Sequence, residues 1–332
     1  MLCRRIVLHL AAILGAAAVQ IAVVRAQTYP SRPVTVIVPY PPGGPTDIIS
    51  RLLADRMRGP LGQPVIIENV GGAGGSIGVG RAARAVPDGY TISAGQWNTH
   101  VVNGAIYPLA YDLLNDLEPL ALLSTNSGII VARKSLPADN LADLITWLKA
   151  NPNKASAGTV GPGSPGHIFG VFFQNITGTH FQFVPYRTVA HALPDLVAGQ
   201  IDLMIDSPSN SLPQIRVGTI KAYAVMGKAR LAAAPDIPTV EEAGLAGFYG
   251  GNWTAFWVPK GTPKDAIAKL NGAVVAALAD ASVRAHLADM AQDIPPREQQ
   301  TPKALGALHR AEIQKWWPII KAANIKGERQ GP

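Results

Sequence analysis

The sequence predicts an α/β protein with two lobes, and three observations support this fold class. From Thr28 onward, short runs rich in β-branched residues alternate with helical patterns of about 10 to 15 residues, which is typical of βαβ units in a mostly parallel sheet. Two long segments, 117–135 and 249–261, are extended and carry no helical pattern. The 332 residues are 48% hydrophobic and 15% charged, which suffices for a core in each of two domains and excludes a disordered chain.

Hydrophobic periodicity places the individual elements. Runs with β-branched residues predict strands at 34–38, 65–68, 90–94, 129–132, 154–158, 180–184, 201–206, 220–226 and 253–258. In the C-terminal part, apolar residues at helical spacing predict helices within 263–287 and 303–323. If the two extended segments cross between the lobes, the first lobe is discontinuous, with residues 28–125 and 253–332, and the second contains 126–252.

Residues 1–26 have the pattern of a secretory signal peptide. Arg4 and Arg5 form a positive start, a mostly apolar run extends from Ile6 to Val24, and Ala26 ends a small-residue cleavage pattern. An uncleaved anchor is the alternative, because the apolar run is close to the length that spans a bilayer. Cleavage near Ala26 predicts a periplasmic protein, and it removes three arginines from a net charge of +7, which leaves +4.

Residue usage excludes several classes of function. The single cysteine, Cys3, lies inside the signal, so the mature chain has no disulfide, thiol nucleophile or cysteine-bound metal. The histidines are dispersed, and neither an H-E-x-x-H motif nor a P-loop lysine pattern occurs, so we predict no metal and no cofactor. Lysine and arginine are scattered singly, which argues against nucleic acid as a partner.

The segment VPYPPGGPTDIISRLLADRM (38–57) joins a strand, a proline- and glycine-rich loop and an amphipathic helix without a spacer. Pro45 suits the first helical position, which makes Gly44 the N-cap and Asp47 the third helical residue. Backbone N–H groups are then expected to be free at this helix start, namely those of Gly43, Gly44 and Thr46. Asp47 is expected to bond back to the N–H of Gly44, where its charge partly opposes an anion.

Residues 154–176, KASAGTVGPGSPGHIFGVFFQNI, repeat this design. A strand leads into a glycine-rich loop, and Ser164 as N-cap with Pro165 at the first helical position begins an amphipathic helix. Helix N-termini carry partial positive charge and unpaired N–H groups, so each start suits a carboxylate without any arginine. Two such starts, one in each predicted lobe, indicate a cleft for a small carboxylate, with turn geometry alone as the alternative for either loop.

Five segments carry a family resemblance: YPSRPVTVIVPYPPGGPTDIISRLLA, LGQPVIIENVGGAGGSIGVGRAARAVPDGYT, KASAGTVGPGSPGHIFGVFF, FVPYRTVAHALPDLVAGQIDLMID and APDIPTVEEAGLAG. In this order they closely resemble the Bug family, the extracytoplasmic solute receptors of tripartite tricarboxylate transporters. The resemblance covers essentially the whole mature chain. It implies a type II periplasmic-binding-protein fold with two lobes and two crossover strands. It also implies closure around a small organic acid and delivery to membrane permease subunits, without catalysis, and we expect a monomer.

The resemblance also implies site residues, motif by motif. The first lobe's ligand loop would supply Tyr40, Pro42, Gly43, Gly44, Thr46 and Asp47. The segment GQWNTH (95–100) matches a second loop of that lobe, with Asn98 and Thr99 as side-chain donors and Trp97 as a ring where small polar residues are usual. The second lobe would supply Thr159, Gly163, Ser164 and His167 from the glycine loop, and Asp206 and Ser207 from the end of a strand.

Some of these residues have a second interpretation. Tyr40 either contacts the ligand or closes the strand end, and His167 either binds or packs and caps its helix. Asp206 meets an ammonium or hydroxyl group of the solute, caps the next turn, or pairs with a cation. Trp97 indicates a planar or apolar body on the solute, whereas Trp253 and Trp257 indicate packing at the crossover.

Two other functions compete with solute transport. An exported serine hydrolase is suggested by Gly74-Gly75-Ser76-Ile77-Gly78, a formal G-x-S-x-G match. A nucleophile elbow places its serine at the strand-to-helix turn, whereas several glycines separate Ser76 from the predicted strand, which favours a glycine loop with Ser76 as a helix cap. A sensor that presents its solute-bound face to a membrane signalling protein would share every feature of a transport receptor.

Overall fold

The computed structural model describes residues 29–327, so the predicted signal peptide at 1–26 lies outside the described part of the chain. Its strands, in chain order, are β1 (Val34–Val38), β2 (Val65–Asn69), β3 (Thr91–Gln96), β4 (Leu117–Ser127), β5 (Ile129–Arg133), β6 (Ser156–Thr159), β7 (Gln182–Pro185), β8 (Leu203–Asp206), β9 (Ile220–Val225) and β10 (Gly251–Pro259). Its helices are α1 (Pro45–Leu61), α2 (Ser76–Ala83), α3 (Asn103–Ile106), α4 (Leu141–Ala150), α5 (Pro165–Thr177), α6 (Val189–Ala198), α7 (Pro208–Arg216), α8 (Lys264–Ala279), α9 (Ala281–Asp289) and α10 (Pro302–Ala322).

These strands form two five-stranded sheets with the same topology. The first has the order β2-β1-β3-β10-β4 and the second β7-β6-β8-β5-β9. In each sheet three strands pair in parallel, and the fourth strand, β10 or β5, runs antiparallel to its neighbours. Each antiparallel strand comes from a segment that has crossed from the other lobe. This two-lobed α/β architecture confirms the predicted fold class.

The two predicted extended segments are the crossovers. Strand β4 of the first sheet continues through Gly128 directly into β5 of the second. The return segment enters the first sheet as β10, and backbone hydrogen bonds tie the passages together: Gly128 N–H donates to Gly250 O (3.0 Å) and Met226 N–H to Gly128 O (2.7 Å). The lobes are therefore joined by short, mutually bonded strands, while the exact lobe limits stay a prediction.

Two apolar clusters hold the first lobe and join it to the second. In one, the inward residues of β1 pack against α1 and α8 through Val36, Ile49, Leu53 and Val274, as the period of each element requires. The other spans both lobes and includes Trp316 of α10, whose indole meets Phe169 and Phe172 of α5 edge-on, at centroid distances of 5.3 and 5.2 Å. The C-terminal helix thus contacts the second lobe as well as the first.

The structure corrects the helix prediction. The predicted helix within 263–287 is two helices, α8 and α9, bent by 70° where Asp280 has extended backbone and accepts from the N–H groups of Ser282 and Val283. Helix α7 is an element that periodicity did not reveal, since Pro213 lies in its interior. Within residues 29–327 no single helix is long and apolar enough to cross a membrane, although α8 and α9 together reach that length and composition.

A buried histidine makes the stability depend on pH. His309 of α10 is 1% exposed, and its Nε2–H donates to the carbonyl oxygen of His100 (2.6 Å). Burial lowers the pKa of His309 from 6.5 to about 4. As the pH falls, the unfolded chain therefore takes up this proton before the folded chain does, and stability is lost.

We expect this contribution to be fully present above pH 6.5 and to disappear progressively towards about pH 4, with a total of about 3 kcal/mol. Urea unfolding at a series of pH values measures it. The variant His309→Gln keeps a side-chain donor but does not titrate, so its free energy of unfolding should fall less over this window. An equal fall in the variant and the wild type would contradict the assignment.

Candidate ligand-binding site

A cavity of about 250 Å³, the inner cavity, lies between the two lobes where β3, β6 and β8 end. The carboxyl ends of parallel strands are the usual ligand position in open α/β sheets. Its polar side chains come from both lobes and both crossovers: Gln96, Asn126, Thr159, Asp206, Ser207, Ser209, Asn210, Asn252, Thr254 and Gln292. Its apolar part includes Phe169, Met204 and Ile205.

A second, more open cavity of about 370 Å³, the outer cavity, adjoins the inner one. The two share Gln96, Val160 and Pro165 in their linings. Four predicted site residues line the outer cavity, namely Tyr40, Asn98, Gly163 and Ser164, and three line the inner one, namely Thr159, Asp206 and Ser207. The other predicted residues line neither: Pro42, Gly43, Gly44, Thr46, Asp47, Trp97, Thr99 and His167.

The first helix start has the predicted cap geometry. Gly44 is the N-cap of α1 and Pro45 its first residue, and Pro45 itself lines the inner cavity. Among the described residues, the N–H groups of Gly44 and Thr46 have no acceptor. This end of α1 therefore carries free donors and partial positive charge, and Pro45 places it at the edge of the cleft.

The Asp47 carboxylate holds the loop before α1 in position by hydrogen bonds. It is 2% exposed, and its carboxylate accepts from Gly43 N–H (2.9 Å), Arg51 Nε (2.9 Å) and Asn69 Nδ2 (2.8 Å). Burial alone would raise the pKa of Asp47, but these hydrogen bonds outweigh burial and hold it below its usual value. The expected bond to Gly44 N–H is thus a bond to Gly43 N–H, whose φ of +88° turns its amide towards the carboxylate, so that Gly43 N–H is not free.

The second helix start is built in the same way. Ser164 is the N-cap of α5, and its hydroxyl accepts from His167 N–H (3.4 Å), while Gly163 N–H donates to His167 Nδ1 (3.3 Å). The His167 ring packs edge-on against Phe183 at 4.6 Å, and burial lowers the pKa of His167, which suits a neutral ring that accepts. The His167 ring therefore holds the glycine loop in position by accepting from Gly163 N–H. The N–H of Gly166 has no acceptor among the described residues.

A third helix start, that of α7, completes the cavity. Ser207 is its N-cap and Pro208 its first residue, which repeats the Ser-Pro pattern of α5. Asp206 precedes this start, and its carboxylate accepts from Asn210 Nδ2 (2.9 Å) and Ser211 Oγ (2.6 Å). Burial raises the pKa of Asp206, and these hydrogen bonds only partly offset that effect. Asp206 is therefore held by two side chains of the following helix, while it also lines the cavity.

A row of hydrogen-bonded polar side chains crosses the floor of the cleft from one lobe to the other. Gln96 donates to the Tyr40 hydroxyl (2.7 Å) and accepts from Asn252 Nδ2 (2.8 Å). Asn252 N–H donates to Asn126 Oδ1 (3.1 Å), and Asn126 Nδ2 donates to Ser207 Oγ (3.3 Å). Burial raises the pKa of Tyr40 to about 12, so its hydroxyl stays protonated. This polar row couples both crossovers to both lobes.

Trp97 and Thr99 lie in the interior. The Trp97 indole is fully buried, stacked on Phe169 at 5.1 Å and edge-on to Trp316 at 5.3 Å. Thr99 is also fully buried, where its hydroxyl accepts from Gln96 N–H (3.0 Å) and so fixes the turn that aims Gln96 into the cleft. Both residues support the cavity wall without forming it.

The electrostatic potential in the inner cavity depends on helix and carboxamide dipoles rather than on cationic side chains. Among residues 29–327, Asp206 is the one ionisable residue in its lining, and no lysine or arginine of this part of the chain contributes to it. Three helix N-termini and the carboxamides of Gln96, Asn126 and Asn252 supply the donors. Residues 29–327 contain no group of three or more histidine, cysteine, aspartate or glutamate side chains that would hold a metal ion.

Sequence reasoning missed the polar row and the third helix start. Gln96 lies inside the quoted GQWNTH segment, but the strand prediction ended two residues before it. Asn126 lies in the polar run Ser124-Thr125-Asn126-Ser127 of one extended segment, and Asn252 follows Gly250 and Gly251 in the other, which was the available signal. The start of α7 was visible as a second Ser-Pro pair directly after a buried strand.

Comparisons with known proteins agree on one family. Residues 49–325 match the family model described as the tripartite tricarboxylate transporter family receptor. The chain is 33% identical over 306 residues to Protein BugT of Bordetella pertussis, a match that covers 91% of this chain and 93% of that protein.

Solved structures agree with this match. MatC (Rpa3494) from Rhodopseudomonas palustris, with bound malate, is 38% identical with a TM-score of 0.74, over 88% of this chain and 100% of that one. Rpa4515 of R. palustris, with adipate, is 32% identical with a TM-score of 0.75, over 90% and 99%. The chain therefore belongs to the tripartite tricarboxylate transporter receptor family, the solute-binding receptors that include the Bug proteins.

Proposed function

We propose that this protein captures a small organic acid in the inner cavity by closure of its lobes and delivers it to a membrane permease. The observation that carries the proposal is the convergence of three helix N-termini, those of α1, α5 and α7, on a cavity that no lysine or arginine of the described part of the chain lines. Each N-terminus offers unpaired N–H groups and roughly half a unit of positive charge. A carboxylate is one of the anions that such donors accommodate.

Dicarboxylates are the first class to test. The two solved relatives that carry malate and adipate support this choice, since both acids are dicarboxylates. Donors on the first-lobe and crossover side (Gln96, Asn126, Asn252) and on the second-lobe side (Gly166, Ser209) allow two carboxylates to be held at once. Among the described residues, Asp206 is the one carboxyl group that lines this cavity, and burial raises its pKa.

We assign the predicted site residues four roles. Thr159, Asp206 and Ser207 contact the solute in the inner cavity, and Tyr40, Asn98, Gly163 and Ser164 form its approach through the outer cavity. Pro42, Gly43, Gly44 and Thr46 present the start of α1. Asp47, Trp97, Thr99 and His167 hold the loops and walls in position, so Trp97 gives no information on the shape of the solute.

Closure is proposed to occur about the crossovers. The lobes, taken as residues 28–125 with 253–332 and as 126–252, are joined at Gly128 and Gly250, where neither glycine carries a side chain that restricts rotation. Export to the periplasm after cleavage near Ala26 and a monomeric state complete the proposal. No covalent step is needed, because the solute is released chemically unchanged.

Two alternatives make different predictions. A sensor would bind the same solute, and deletion of its gene would abolish induction while uptake persists. A serine hydrolase would need an activated Ser76, yet Ser76 begins α2 behind Gly75, and among residues 29–327 no hydrogen bond joins it to a histidine. The absence of an acyl-enzyme burst with an activated ester would exclude it.

Thermal unfolding with a library of carboxylic acids tests the proposal. A ligand bound only by the native state at 100 times its Kd stabilises that state by about 2.7 kcal/mol. One or a few C4 to C6 dicarboxylates should therefore raise the Tm by about 5 °C or more. The matching diamides lack charge and should not. If no acid shifts the Tm while the protein is folded, the proposed function is wrong.

A further inference from the structure

Gln292 separates the inner cavity from a groove behind it. This rear groove, of about 500 Å³, is lined by Leu212, Leu231, Ala232, Ala233, Arg284, Ala288, Ala291, Gln292, Asp293 and Ile294. Gln292 also lines the inner cavity, and it is the residue that the two linings share. The two spaces therefore meet at Gln292.

The Gln292 side chain is fixed in this position. Its Oε1 accepts from the hydroxyl of the fully buried Ser124 (2.9 Å), and its backbone N–H donates to Leu287 O (2.8 Å). The next residue, Asp293, exchanges two backbone hydrogen bonds with Thr125 of β4 (2.9 and 2.8 Å). A side chain bound at its tip and anchored at its base forms a stable wall.

The first turns of α7 complete this wall from the second lobe. Asn210 lines the inner cavity, whereas Leu212, two residues later, lines the rear groove. This part of the wall includes helical backbone, which a side-chain truncation does not remove. Gln292 is therefore the part of the wall that a single substitution can open.

We propose that Gln292 is the end wall that limits the length of the solute. This inference rests on the proposed function and specifies which acids the same site accepts. Gln96, which lines the inner cavity where it adjoins the outer one, is also held, by hydrogen bonds to Tyr40 and Asn252. A diacid whose near carboxylate is bound at the helix starts therefore cannot extend past Gln292 without breaking the hydrogen bond of Gln292 to Ser124. Wild-type affinity then falls sharply beyond one chain length.

The rear groove is chemically suited to the far end of a longer diacid. Leu212, Leu231 and Ile294 offer apolar surface to a methylene chain. Arg284 also lines the groove and has no ion pair among the described residues, although Asp293 of the same lining limits its effect on an anion. Opening the wall would thus lead a longer chain into a space that accepts it.

The test is calorimetric titration of the full mature chain with the unbranched dicarboxylates from C4 to C8. For the wild type we expect affinity to fall at least tenfold beyond a limiting length. For Gln292→Ala we expect that limit to move outward by at least one methylene. Each newly buried methylene should then add about fourfold in affinity, while binding of the shorter acids changes little.

Two further variants make the outcome decisive. Gln299→Ala truncates an exposed glutamine seven residues away and should keep the wild-type limit. If Gln292→Ala does not fold, Gln292→Asn shortens the wall by one methylene and should move the limit by a smaller step. An unchanged limit in a folded Gln292 variant overturns the inference, as does equal wild-type affinity for all five lengths. If the wild type binds none of the acids, the proposed function is wrong as well. If it binds them but the Gln292 variants keep the wild-type limit, only the inference about Gln292 is wrong.

Discussion

Gly251→Ala is expected to destabilise the protein strongly and to abolish solute binding. Gly251 begins β10, pairs with Ser127 of β4 and lines the inner cavity. A Cβ atom at this position would overlap the carbonyl oxygen of Asn126 and lie 2.9 Å from the Cα of Ser127. Since both contacts are backbone, relief requires the crossover strands to separate, at a cost of about 3 kcal/mol.

Thermal unfolding and calorimetry on the same preparation measure both effects, and we expect a loss of about 5 °C or more in Tm. Gly272→Ala is the matched control. Gly272 lies in α8, where a Cβ atom meets nothing within 4 Å, so alanine there should stabilise the helix by about 0.5 to 1 kcal/mol. Wild-type stability and affinity in Gly251→Ala would mean that the crossovers do not pair as described.

Asn126→Leu is expected to reduce solute affinity about a hundredfold while the protein stays folded, because the cavity loses a carboxamide donor and a hydrogen bond to a charged group contributes about 1.5 to 3 kcal/mol. Asn126 lies in β4 at the middle of the polar row, where it accepts from Asn252 N–H and donates to Ser207 Oγ. Leucine has nearly the same shape but neither group. The Asn252 N–H then loses its partner, and the cavity loses a carboxamide donor.

Calorimetry with the tightest-binding acid measures this loss. Asn175→Leu, on the exposed face of α5, makes the same chemical change away from the cleft and should leave affinity unchanged. If Asn126→Leu binds as tightly as the wild type, the polar row does not contribute to recognition, and the helix N-termini alone must account for it.

The sequence was sufficient for the fold because its strongest signals are local. The run at 34–38 reads as a strand and is β1 without any shift, and the Gly-Pro and Ser-Pro pairs place the starts of α1 and α5 at the correct residues. Proline at the first helical position and a small residue at the N-cap follow from backbone geometry, so no tertiary information is needed. The two long extended segments likewise identified the crossovers.

What the sequence did not reveal depends on contacts between distant segments. Gln96, Asn126 and Asn252 form one row only because three strands lie side by side. The Asp47 carboxylate accepts from Gly43 N–H instead of the expected Gly44 N–H, and it also accepts from the distant Asn69. Trp97 is buried because α5 and α10 pack over it. Where several elements pack around one side chain, the local sequence pattern identifies the residue but does not predict whether its side chain points into the cleft or into the core.

The most direct test of the central claim, that helix N-termini grip the carboxylates of the solute, is a crystal structure of the protein with its tightest-binding dicarboxylate. We expect the acid in the inner cavity, with carboxylate oxygens within hydrogen-bond distance of N–H groups at the starts of α5 and α7 and of the carboxamides of Asn126 or Asn252. An acid held by lysine or arginine side chains elsewhere on the surface, with the inner cavity filled only by water, would contradict the account.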